Sequence, residues 1–154
     1  MKQPMLNTLL RRWHRMLGLP RQSPLSWHRH RLREELHERK TASTRIHRLS
    51  ETADVLFTIS RARYDGVNSW KLPPFVASRH LLVYAYMLAK YTLRWGFYRT
   101  AAVCCGAPTP RAVCEVVNPA KDSKLDEVSA RHGIDVVRFR RAGRRLRWVW
   151  PLLP

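Results

Sequence analysis

The chain has 154 residues, enough for one domain with appendages, and 45% of them are apolar, which excludes wholesale disorder. Lysine and arginine number 29 against 11 acids, for a net charge of +18, so the surface calls for phosphate, anionic lipid or an acidic protein as a counterpart. An odd set of 3 cysteines, Cys104, Cys105 and Cys114, excludes a disulfide-stapled secreted domain; their spacing fits no standard zinc motif and reads as buried, reduced thiols.

Residues 1–33 hold the first concentration of charge, with 8 basic side chains and no acid. At about 100° per residue, Met5, Leu6, Leu9, Leu10, Trp13, Met16 and Leu17 fall on one arc of a helix, and Arg11, Arg12 and Arg15 on the other. Gly18 and Pro20 end it. An acid-free, arginine-bearing start of this kind resembles a mitochondrial transit peptide, and Arg11, Arg12, Trp13 and Arg15 are its targeting or docking residues. The alternative is a first helix packed on the core. The arginines interrupt the apolar run, which rules out a secretory signal; the expected location is mitochondrial, with nucleus or cytoplasm as alternatives.

Ser23-Pro24 offers a cap and a first-position proline for a charged helix over roughly 24–40. Leu25, Leu32 and Leu36 give it a thin apolar stripe, and the spacing pairs Arg31 with Glu34 and Glu35 with Arg39. Its histidines read as solvated, with no acidic or cysteine partner to complete a metal set. A further helix runs about 44–64 on Ile46, Leu49, Ala53, Leu56, Phe57 and Ile59, stopped by Asp65-Gly66. After a loop with two prolines, Ser78 caps the most apolar helix, 78–102, which forms the centre of the protein. Its uninterrupted apolar run, Leu81 to Ala89, is too short to span a bilayer, and Arg79, Lys90 and Arg94 define one wet edge. Residues 106–122 form a proline-rich connector, in which Thr109-Pro110 starts a short helix through Val117.

The C-terminal residues 123–154 read as helix, tight turn, helix. Ser123 to Arg131 is the first, His132-Gly133 the turn, and Asp135 the cap of the second, 136–150. In LDEVSARHGIDVVRFRRAGRRL this segment resembles a helix-turn-helix, with Val128 and Ser129 before the turn, Gly133 in it, Ile134 after it, and Phe139 and Ala142 inward. The resemblance implies a DNA-reading second helix. In its own right that helix places Val136, Phe139, Ala142, Gly143, Leu146, Val149 and Trp150 on one arc, and Arg138, Arg140, Arg141, Arg144, Arg145 and Arg147 around Trp148 on the other. Arginines there suit phosphates and an exposed indole suits an unpaired base. The same face suits an anionic membrane or an acidic protein, or serves only as a solvated surface.

No phosphate-binding glycine loop, GxSxG or HExxH occurs, so no catalytic residue, cofactor, metal or small-molecule substrate is expected. The expectation is an all-α bundle of about five or six helices with a helix-turn-helix-like C-terminal pair. It has three parts: a basic N-terminal arm (1–22), a helical core (23–122) and the basic C-terminal segment (123–154). Its expected role is non-enzymatic binding of RNA, in preference to DNA, within a ribonucleoprotein assembly. The alternatives are a docking adaptor for protein or membrane and a DNA-binding helix-turn-helix protein. Arginine is spread over much of the chain and no dimerisation helix or heptad run is evident, which favours RNA.

Overall fold

The computed structural model describes residues 3–73 and 80–150, with side chains from residue 6 onward. Among them are six α-helices and no strand: α1 (Gln3–Leu17), α2 (Leu25–Thr41), α3 (Arg45–Tyr64), α4 (Leu81–Cys104), α5 (Asp122–Arg131) and α6 (Val136–Val149), with one 3-10 turn at Pro110–Ala112. No helix among the described residues is long and apolar enough to cross a membrane. The chain divides into two compact units, 1–88 and 89–154, and the division falls inside α4. The expected Ser78 cap, the Arg79 side chain and the Met5 side chain lie outside the described residues.

In the first unit, α2 packs along α3 and α1 rests on α3. The apolar arc of α1 buries Leu6, Leu10, Trp13 and Leu17 and leaves Leu9 and Met16 about half exposed. Trp13 meets Phe57 edge-on at 6.0 Å, and His14 Nε2 lies 3.0 Å from the Ser60 hydroxyl. Thr44 caps α3 by accepting the His47 N–H. The thin stripe on α2 is not its most buried part: Leu25 and Leu36 stay exposed and Leu32 is half-buried, while His28 and Glu35 are buried.

Polar partners explain that inversion. His28 Nε2 hydrogen-bonds the Gln22 carbonyl at 3.1 Å, and Asp65 lies 3.7 Å away, so this histidine is not solvated as expected. Glu35 pairs with Arg31, whereas Arg39, its expected partner, donates to Thr52 of α3. Arg31 also meets Glu34, as the spacing predicts. Pro24 itself occupies the cap position of α2 and Ser23 provides no cap, so the helix starts one residue later than the sequence suggests. Arg61 binds the carbonyls of Leu19 and Pro20 and the Asp65 carboxylate, holding the α1–α2 connection against the end of α3.

The second unit is built around Phe97, Tyr98, Ala101 and Ala102 of α4, Val113 of the connector, Leu125 and Val128 of α5 and Phe139 of α6. Tyr98 stacks on Phe139 with ring centroids 6.3 Å apart. The wet edge expected on α4 is buried: Lys90 is 3% and Arg94 7% exposed, and the Arg94 guanidinium lies over the Tyr91 ring at 5.5 Å.

The expected connector helix is reduced to its 3-10 turn. Arg99 explains why, because its guanidinium takes the carbonyls of Arg111 (2.6 Å) and Val113 (3.4 Å), which a continuing helix would have needed. The strand-like stretch beyond alternates, with Val113 and Glu115 inward. Arg131 and His132 then hold Glu115 at 2.8 and 3.1 Å and fix the connector to the end of α5.

Candidate nucleic-acid interface on α6

The turn that sets α6 is closed by backbone chemistry. Gly133 has φ +62°, a left-handed conformation that side chains resist, and this lets Ile134 N–H reach back to the Ser129 carbonyl at 2.9 Å and Gly133 N–H to Ala130. Asp135 then accepts the Arg138 N–H at 2.7 Å, capping α6 as its position predicts. Every residue placed inward by the helix-turn-helix resemblance packs: Val128, Ser129 and Phe139 are fully buried, Ala142 nearly so, and Ile134 lies against the core. Gly143 brings the two helices close, because a Cβ there would stand 2.8 Å from a methyl of Leu125.

The six arginines of α6 do not form one surface. Arg140 lies in a two-point pair with Asp126, Arg144 donates twice to one oxygen of Asp122, and Arg147 donates to the other oxygen of Asp122 and to the Ala120 carbonyl. The hydrogen bonds from Arg144 and Arg147 lower the Asp122 carboxyl to about 2, and donating to Asp126 raises Arg140. These three side chains face α5 and serve the fold.

The other three, Arg138, Arg141 and Arg145, have no acidic partner among the described residues. With Trp148 they recur at three- and four-residue steps, a single stripe along α6. Trp148 is 90% exposed. The arginines edge an open cleft of about 600 Å³ whose remaining wall is Cys104, Cys105, Ala142, Leu146 and Val149.

No protein-family model, curated protein or solved structure matches the chain.

The α1 residues Arg11, Arg12 and Arg15 are exposed, but Trp13 is buried against Phe57 and is not available at the surface for docking. The cysteines are free, as expected, yet not buried: Cys104 is exposed and Cys105 and Cys114 are half-buried. The carboxylates of Glu35, Glu38 and Glu51 come closest to a cation site, offering oxygens within 4.8 Å of one another. Burial raises Glu35 to about 7 against the opposing pull of Arg31, whose guanidinium lies against this carboxylate and takes up part of the cluster. Sequence periodicity found the arginine arc but missed its division. The available signal was the Asp122/Asp126 spacing, one helical turn apart on α5, which predicts a carboxylate ridge facing whatever packs beside it.

Proposed function

We propose that the protein binds single-stranded RNA through the Arg138, Arg141, Arg145 and Trp148 stripe of α6, as a non-enzymatic component of a ribonucleoprotein assembly. The observation that carries this reading is the sorting of the arginines: three are paired with the two carboxylates Asp122 and Asp126 of α5, and three stand in line with no acidic partner among the described residues and end at an exposed indole. From Arg138 to Trp148 the helix rises about 15 Å, the length of roughly four stacked nucleotides. Guanidinium groups along that path suit phosphates, and the indole offers a stacking face to any base.

The close packing of α5 on α6 about Gly133 favours a second reading, duplex DNA in the manner of a helix-turn-helix. Against it, the start of α6, which such proteins direct at base edges, exposes Val136 and Val137. Competition decides between them. A labelled single-stranded RNA oligonucleotide should be displaced by unlabelled RNA and poorly by duplex DNA, and Trp148→Ala should weaken RNA binding about tenfold. Preferential displacement by duplex, with no effect of Trp148→Ala, would transfer the site to DNA.

Organellar location belongs to this reading and is supported by the exposed arginines of α1. Residues 1–22 fused to a fluorescent reporter should carry it to mitochondria; a diffuse signal removes that part of the proposal.

A further inference from the structure

The cleft beside α6 contains a chemistry that phosphate binding does not use. Two of its lining residues are thiols, Cys104 and Cys105, and the same cleft holds Arg138, Arg141 and Arg145. The end of α4 places them there. Gly106, at φ +71°, lets Ala107 N–H return to the Ala102 carbonyl at 2.9 Å, so the chain turns away directly after the cysteine pair.

The two thiols differ. Cys105 is half-buried, donates to the Ala102 carbonyl at 3.3 Å, and is kept protonated because burial raises it. Cys104 is exposed and its thiol has no hydrogen-bond partner among the described residues. Cys114 is half-buried, within reach of Arg99 and the Arg111 carbonyl, and does not line the cleft.

We infer that Cys104 is a site of thiol–disulfide exchange with an anionic low-molecular-weight disulfide of the glutathione class, which the cleft arginines draw in by its carboxylates. Three guanidiniums without acidic partners among the described residues concentrate an anionic reagent beside the exposed sulfur and repel a cationic one. In the exchange, the Cys104 thiolate attacks one sulfur of the disulfide and forms a new S–S bond. The old S–S bond breaks, and the departing half leaves as a thiolate that takes a proton from water; Cys104 is oxidised and that half is reduced. The adduct persists, because adjacent residues have Cα atoms about 3.8 Å apart, short of the usual disulfide span of roughly 4.4–6.8 Å, so Cys105 is badly placed to expel it. A tripeptide held there lies across the three arginines, and RNA binding, where it occurs, would be blocked by it; the thiol site itself does not depend on RNA.

The test uses the full chain without RNA. It is treated with glutathione disulfide or with cystamine, a cationic disulfide, and the adducts are assigned by peptide mapping. The inference predicts modification of Cys104 ahead of Cys105 and Cys114, with the anionic reagent about tenfold faster at low salt. That advantage should collapse at high salt and in the Arg138→Gln/Arg141→Gln/Arg145→Gln variant. Equal rates for the two reagents, or adducts chiefly on Cys105 or Cys114, would overturn it.

Discussion

His14 and Glu35 show how burial of a single titratable group shapes the first unit. Burial, reinforced by Arg61, lowers His14 to about 3 from its ordinary 6.5, so it stands neutral beside Ser60. The unfolded chain takes up that proton first, and the stability His14 contributes is lost as pH falls from 6.5 toward 3. Glu35 acts in the opposite sense. Burial raises it to about 7 from 4.5, so the folded chain holds its proton and stability is lost as pH rises through that window. Between pH 5 and 6 the two slopes oppose each other. Urea titrations across that range should show Glu35→Gln tilting the pH dependence upward and His14→Gln tilting it downward, each by about 1 kcal/mol per pH unit. Unchanged slopes would mean that neither group is shifted. Neither behaviour was legible in the sequence. His14 sits on the wheel between arcs, and its burial arises from α3 placing Phe57, Ser60 and Tyr64 around it.

Among the elements, α6 was the most legible and also the most misleading. Its limits, its Asp135 cap and its inward residues Phe139, Ala142 and Gly143 follow from periodicity. What a single helix cannot reveal is its neighbour, and the carboxylates of α5 pair with Arg140, Arg144 and Arg147 and leave Arg138, Arg141 and Arg145 without such partners among the described residues. The same limit applies to α2, where a leucine stripe suggested the docking face and the fully buried residues are a histidine and a glutamate. The connector after α4 differs because Arg99, a residue fourteen positions from Val113, takes the carbonyls that would have extended its short helix. Two glycines test the packing directly. Gly96→Ala should stabilise the protein by up to about 1 kcal/mol, since among the described residues a Cβ there meets only Trp150, at 3.7 Å. Gly143→Ala should destabilise it by about 1 kcal/mol, because the methyl enters the space of the fully buried Leu125 and overpacking exceeds the gain in helix propensity. Thermal melts of the two variants should therefore move in opposite directions. A stabilised Gly143→Ala would contradict the close approach of α5 and α6.

At the scale of the whole molecule, the all-α class and the six helices were legible because punctuation by Gly, Pro and capping residues falls between apolar segments of helical period. The +18 charge was equally plain, but its total does not describe a binding surface. Much of the arginine is internal chemistry: Arg61 holds the α1–α2 connection, Arg99 the connector, Arg131 Glu115, and three arginines of α6 hold α5. Under the proposed function, α6 carries two functionally distinct sets of arginines. This is tested most directly by the salt dependence of RNA affinity in two triple variants, with thermal stability measured alongside. Replacing Arg138, Arg141 and Arg145 with Gln should lower the log-log slope by about 2, at roughly 0.7 for each phosphate no longer neutralised, with little change in melting temperature. Replacing Arg140, Arg144 and Arg147 should lower the melting temperature and leave the slope nearly unchanged. Equal loss of slope in both variants, or no RNA binding by the native protein at low salt, would contradict the account.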